Sequence, residues 1–177
     1  ARLRDAGLPP VPVSVNIEAA QLRRPDFLAQ VVSEVEQAGL PASALEIEIT
    51  ESMLMSDVPQ TIALLGALRE RGFRVAIDDF GTGYSSLSYL ARLPLDRVKI
   101  DQSFVRDLRS SAPAEGVVRA VISLASGLGL NVLAEGVEEE ADAARLRAMG
   151  CQDAQGYLYS RPVDEDTLRE RYARRLA

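Results

Sequence analysis

An α/β fold of parallel strands joined by crossover helices, either doubly wound or closed into a barrel, is what this 177-residue sequence predicts. Six short aliphatic segments alternate with amphipathic helical ones. Glycines stand where four helices should stop, at Gly39, Gly72, Gly129 and Gly150, as glycines at helix C-termini do. No low-complexity stretch or interior linker breaks the alternation, so residues 1 to 177 read as one domain.

The first strand, Val11 to Asn16, sets Val13 and Val15 on one side and Ser14 and Asn16 on the other. A helix from Asp26 to Ala38 runs into Gly39. The second strand, Leu45 to Thr50, alternates Leu45, Ile47 and Ile49 with Glu46, Glu48 and Thr50. Helix Pro59 to Arg71 ends at Gly72 and leads to strand Arg74 to Asp79. After a helix from Ser85 to Leu93, strand Arg97 to Asp101 interleaves Val98 and Ile100 with Arg97, Lys99 and Asp101. Helix Ala114 to Leu128, strand Asn131 to Val137, helix Glu139 to Met149, strand Asp153 to Leu158 and helix Asp164 to Arg175 complete the series.

A parallel strand covered on both faces is almost continuously aliphatic. Here one face of each strand is polar instead. Its last polar positions are Asn16, Glu48, Asp78, Lys99, Glu135 and Gln155, one per βα unit. In a closed barrel these form a ring around the mouth at the C-terminal strand ends, where barrel active sites are built; an open sheet spreads them along an edge. Each has a plainer structural explanation: Asn16 and Gln155 as turn caps, Glu48 and Lys99 as a buried ion pair, Asp78 and Asp79 as caps of the following helix. Six together are harder to dismiss, because burying that many charges uncompensated is costly and a divalent cation compensates them. All-oxygen donors favour magnesium or manganese over zinc. Adjacent on a strand, Asp78 and Asp79 face opposite sides, so one must swing out with the glycine-punctuated loop Phe80, Gly81, Thr82, Gly83, Tyr84, Ser85, Ser86. As a dinucleotide fingerprint that loop lacks a third glycine, and the two carboxylates repel a phosphate unless a cation intervenes.

Composition narrows the chemistry. The formal charge of −6 argues against a duplex nucleic-acid partner, while a small phosphorylated ligand held through metal is allowed. Histidine is absent, which excludes Ser-His-Asp and Cys-His nucleophiles and leaves proton handling to lysine or carboxylates. The single cysteine, Cys151, offers no disulfide, fits a reducing compartment and reads as a buried bystander. No signal peptide and no apolar run of eighteen residues is present, so a cytoplasmic domain is expected, in a parent that upstream segments could attach to a membrane.

The segments Val13-Ser14-Val15-Asn16, Glu46-Ile47-Glu48-Ile49-Thr50-Glu51-Ser52, Asp78-Asp79-Phe80-Gly81-Thr82-Gly83-Tyr84-Ser85-Ser86-Leu87, Val98-Lys99-Ile100-Asp101-Gln102-Ser103-Phe104-Val105, Ala134-Glu135-Gly136-Val137-Glu138 and Gln155-Gly156-Tyr157-Leu158-Tyr159-Ser160-Arg161-Pro162 resemble, in order, the EAL-domain family of bacterial cyclic-di-GMP phosphodiesterases. The resemblance implies a modified (β/α)8 barrel, with about six βα units here, that hydrolyses cyclic-di-GMP to linear pGpG with one or two Mg2+ or Mn2+ ions. It implies Asn16, Glu48, Asp78 and Asp79 as metal ligands, Lys99 on the attacking water, Glu135 near the metals and Gln155 supporting the water and ligand shell. Glu51, Glu138 and Asp101 fall to substrate and loop support, with Glu51 anchoring the loop Phe80 to Ser86, which couples ligand binding to homodimerisation. An upstream sensory or GGDEF-type domain is a further expected partner.

Departures qualify the match. Glu-Ala-Leu is absent from the first ten residues, which implies that its strand precedes Val11, along with a metal-ligating glutamate, a phosphate-gripping arginine and about two strands. Glu18, Ala20 and Glu139 stand where the family more often has Ser, Arg and Thr. The fragment alone is therefore expected to be inactive, or stable only by pairing with another chain. The alternative function is a binding or interaction module that takes the dinucleotide without cleaving it.

Overall fold

The computed structural model describes residues 11–51, 53, 58–81 and 90–176. Six parallel strands lie side by side in chain order as a half-barrel: β1 (Val13–Asn16), β2 (Leu45–Thr50), β3 (Arg74–Phe80), β4 (Arg97–Ile100), β5 (Asn131–Ala134) and β6 (Asp153–Ala154). The described helices are α1 (Ala19–Leu22), α2 (Phe27–Gln37), α3 (Val58–Glu70), α4 (Gln102–Asp107), α5 (Ala112–Gly127), α6 (Glu140–Ala148) and α7 (Glu165–Leu176). Among them none is long and apolar enough to cross a membrane.

The alternation along the strands decides which face meets the helices. Ile47, Ile49, Val75, Ile77, Val98 and Ile100 are fully buried on one side, in one cluster with Leu65 and Leu68 of α3 and Val118 and Ala125 of α5. Removing those branched side chains from water is the main driving force for docking the helices, about 1.5–3 kcal/mol per fully buried aliphatic side chain. The opposite face carries the polar set and is concave. β1 forms one edge, where Val13 and Val15 remain exposed.

The four glycines expected to stop helices all have positive φ, from 61° at Gly39 to 93° at Gly150. Ser111 caps α5, its hydroxyl accepting from the Ala114 amide at 3.2 Å. Elsewhere the boundaries differ from expectation for local reasons. β5 stops at Ala134, not Val137, because Gly136 turns the chain at φ 67°. β6 ends at Ala154, not Leu158, since Gly156 leaves the extended line and its carbonyl accepts from the Tyr159 amide at 3.1 Å. β1 begins at Val13, not Val11. β4 ends at Ile100, because Asp101 turns out to cap the unforeseen α4. That helix and α1, six and four residues long, are too short to show a periodic pattern in sequence. Of the expected helix Ser85 to Leu93, residues 85–89 lie outside the described residues.

Cys151 is buried, its Sγ within 3.2 Å of the Asp153 carbonyl. Burial pushes the thiol up to about 11 from an ordinary value of 9.0. The folded thiol therefore stays protonated while the unfolded one ionises, so its contribution is full below pH 9.0 and is lost as pH rises toward about 11. Denaturant melts at pH 8 and pH 10.5 should show a stability loss that Cys151→Ala diminishes; an identical loss in both proteins would remove the thiol as its source.

Candidate functional site

The concave face of the sheet gathers its charges around one lysine. Lys99, on β4, is almost wholly buried, and its Nζ lies 2.8 Å from Glu48 Oε2, 2.9 Å from Asp78 Oδ1 and 2.8 Å from Glu135 Oε1. Glu48 comes from β2, Asp78 from the C-terminal part of β3, and Glu135 from the residue after β5. Gln155, following β6, donates from Nε2 to Glu135 Oε1 at 2.7 Å. Asn16 is the register partner of Glu48 at the exposed edge. Five of the six strand-end residues thus form one connected cluster, with Asn16 beside it.

Burial works against the Lys99 ammonium, but hydrogen bonds to Glu135, Glu48 and Asp78 outweigh it and hold the group above the ordinary lysine value. Glu135 is shifted up, chiefly by burial and against the pull of Lys99, with Asp78 and Glu48 adding repulsion. Three carboxylates around one ammonium leave a formal charge of −2 in a largely dry site. That imbalance is the electrostatic setting for a further cation.

β3 solves the problem of its two adjacent acids with a bulge. Its register with β4 shifts between Ile77 and Phe80, and Asp79 takes φ 53°, the one positive φ among the described non-glycine residues. Asp79 is thereby carried out of the strand line while its amide donates to Asp78 Oδ1 at 3.0 Å. Both carboxylates now reach the same side: one oxygen from each of Asp78, Asp79 and Glu135 lies within 4.8 Å of the others. This trio offers only oxygen ligands, which fits a hard divalent cation. The resemblance implies Glu48 as a ligand and Glu135 near the metals; among the described residues Glu135 belongs to the oxygen trio, and Glu48 connects to Asp78 through Lys99.

Asp79 is also hydrogen-bonded to Asp101. Burial first, then the charges of Asp78 and Asp101, shift Asp79 upward. Asp101 is held low despite its burial because the Ser103 hydroxyl and amide donate to it, the amide at 2.9 Å. The N-cap of α4 thus fixes the acceptor of an acid pair, a link that strand-face patterning could not supply.

Glu51 is buried, and its Oε2 accepts from the Gly81 amide at 3.3 Å, tying β2 to the loop that leaves β3. Phe80 is buried beside it, and Gly81, at φ 100°, packs against the Phe104 ring. Thr82, Gly83, Tyr84, Ser85 and Ser86 lie outside the described residues. Glu138 is exposed and lines, with Gln102, Glu135, Gln155 and Tyr157, a broad cleft beside the cluster. On its rim Arg161 lies 4.4 Å from the centre of the Tyr157 ring, a pairing not foreseen from sequence.

Fold and site together define a parallel α/β half-barrel with a lysine-centred acidic cluster at its C-terminal strand ends. The family model for the EAL domain matches residues 1–162, and the chain belongs to that family. It is 49% identical over 158 residues, 89% of its length, to a Pseudomonas aeruginosa protein named cyclic di-GMP phosphodiesterase NbdA, of which it covers 20%. The EAL domain of Mycobacterium smegmatis DcpA superposes with a TM-score of 0.90 at 41% identity, covering 98% of this chain and 78% of that one. A manganese and cyclic-di-GMP complex of Klebsiella pneumoniae BlrP1 superposes with a TM-score of 0.81 at 34% identity, over 91% and 41% of the two chains. The chain spans 20% of the length of that Pseudomonas aeruginosa protein and 22% of a further curated relative from Synechocystis.

Proposed function

We propose that this protein hydrolyses one phosphodiester bond of cyclic-di-GMP to give linear pGpG, using Mg2+ or Mn2+. The observation that carries this reading is the convergence of Glu48, Asp78 and Glu135 on Lys99 beside Asp79. It is supported by the similarity to a solved structure that holds manganese and cyclic-di-GMP. Asn16, Glu48, Asp78 and Asp79 would hold one or two ions, with Glu135 adjoining them. Held there, such an ion would supply Lewis acidity toward a water molecule and a phosphoryl oxygen.

The chain's own side chains supply orientation. Lys99 stays an ammonium across the neutral range, so it would donate to the attacking oxygen once one of its three carboxylate partners turns to a bound ion, and would not take a proton from it. Glu135 Oε1 accepts from both Lys99 and Gln155, which fixes the direction of both donors. Glu51 holds the start of the loop through Gly81, and Asp101 restrains Asp79. Glu138 and the Tyr157 rim face the cleft where a dinucleotide would lie. Pairing of two copies through the loop after Phe80, and control by an upstream domain, belong to the same proposal.

Incubation of the full-length parent protein that carries this segment with cyclic-di-GMP and manganese, followed by chromatography for pGpG, tests it. Product should form with manganese and vanish with excess EDTA. Tight binding of cyclic-di-GMP without any pGpG would instead make the protein a binding module.

A further inference from the structure

The stretch from Glu135 to Glu139, which joins β5 to α6, lies against α4 and the turn that follows it. Residues 102, 106 and 109 fall one helical turn apart there, so they share one side of that element. Gln102 packs on the start of the stretch: a Cβ at Gly136 would stand 2.5 Å from the Gln102 Cβ. Arg106 opens on the cleft that Glu138 also lines. Arg109 meets the end, where its Nη1 donates to Glu139 Oε2 and its Nε lies 3.2 Å from Asp142 Oδ1 in α6. The Asp142 side chain is only 4% exposed and that oxygen accepts no hydrogen bond, so Arg109 and the positive end of α6 are what compensate its charge.

Backbone bonds hold the stretch at its start and middle. The Glu135 amide donates to the Ile100 carbonyl at 3.1 Å, and Val137 is bonded to Gln155 and to Leu158 at 3.0 Å each. Past Val137, the next polar tie from the stretch to another part of the chain, among the described residues, is Arg109. Its neighbouring arginines do not duplicate it. Arg145 of α6 donates to the Leu108 carbonyl at 3.0 Å; turned to Asp142 instead, it would neutralise that acid from within α6 and tie Glu139 to nothing. Arg106 lies on the cleft side, so an ion pair of Glu139 with it would displace Glu138 as well. We propose that Arg109 is a positioning residue: by holding Glu139 and Asp142 to the turn after α4, it fixes the peptide that sets Glu138 on the cleft, and thereby governs affinity for cyclic-di-GMP and not the rate of bond cleavage. The proposal rests on the function given above for its ligand, while the tie itself is read from geometry alone.

The test compares Arg109→Gln, Glu139→Ala, their double variant and Arg145→Gln in the full-length parent protein, by steady-state turnover of cyclic-di-GMP with manganese and by hydrogen exchange without ligand. In Arg109→Gln the KM should rise about threefold to tenfold with kcat within about twofold, the signature of lost binding. Glu139→Ala should give a smaller rise, since Asp142 still holds Arg109, and the double variant should be no worse than Arg109→Gln. Exchange should quicken about tenfold in peptides covering residues 135–142 and stay unchanged in β1 to β3. Arg145→Gln breaks the other bond between α6 and the same turn without touching Glu139, and its KM should stay within about twofold of the parent. An unchanged KM in Arg109→Gln, a larger fall in kcat, or faster exchange throughout the sheet would overturn the proposal. A KM raised as much by Arg145→Gln would overturn it too. Should Arg109→Gln fail to fold, Glu139→Ala decides alone: a raised KM supports the proposal, and a parent-like KM refutes it. A parent that turns over no cyclic-di-GMP defeats the functional reading, while exchange in residues 135–142 still decides whether Arg109 holds the stretch.

Discussion

Lys99→Ala is expected to cut cyclic-di-GMP turnover by about 10²–10⁴-fold, the range for losing a positioned proton donor, while leaving ligand affinity within a few-fold of the parent. The same substitution has a second consequence that reports on the site without any chemistry. It strips the one cation from among Glu48, Asp78 and Glu135, three carboxylates within 2.9 Å of Nζ. Breaking a buried pair in this way costs about 3–5 kcal/mol, so melting in EDTA should fall sharply. Manganese should then stabilise the variant by more than it stabilises the parent, since a divalent ion compensates charges that nothing else does. Turnover unchanged from the parent would sink the role of Lys99. Equal stabilisation of both proteins by manganese would place the ion away from this cluster.

What made the cluster legible in sequence was a conflict between two rules. Parallel strands are ordinarily aliphatic on both faces, yet Glu46, Glu48, Asp78 and Lys99 recur on one face of consecutive strands, so that face had to be something other than a second apolar core. The alternation fixed which residues share that face, and it holds in the structure because Ile47, Ile49, Val75, Ile77, Val98 and Ile100 all turn to the helices. It could not give distances. That Asp79 joins Asp78 and Glu135 in one oxygen trio depends on the bulge at Asp79, and a positive φ at an aspartate leaves no periodic trace. The ion pair of Arg97 with Glu46, at 2.9 Å, escaped for a similar reason: it depends on the small size of Ala76 on the strand between, a relation among three segments that sequence order separates. Asp101 reads as the end of a strand until its carboxylate is seen capping α4 and meeting Asp79.

Gly156→Ala is the substitution expected to damage the fold most for the least chemical change. A Cβ at this position would stand 2.2 Å from the Val137 carbonyl oxygen and 2.4 Å from its nitrogen, and at φ 154° the backbone itself resists a side chain. The atoms in the way belong to a peptide that is held on both sides, since the Val137 amide donates to Gln155 at 3.0 Å and its carbonyl accepts from Leu158 at 3.0 Å. No rotamer change relieves the clash; the segment after β6 must move away and give up those two bonds. Overpacking together with two lost hydrogen bonds amounts to about 3–5 kcal/mol. The movement also carries Gln155 off Glu135, which it reaches at 2.7 Å, so turnover should fall in whatever fraction remains folded. Gly116→Ala provides the control, because a Cβ there, in α5, meets nothing within 4 Å and should be neutral or stabilising by up to about 1 kcal/mol. Thermal melting of the two variants separates close approach from the general effect of replacing glycine. A Gly156→Ala protein that melts with the parent would mean that the peptides of Val137 and Gly156 are not held together, and the support given by Gln155 to Glu135 would have to come from elsewhere.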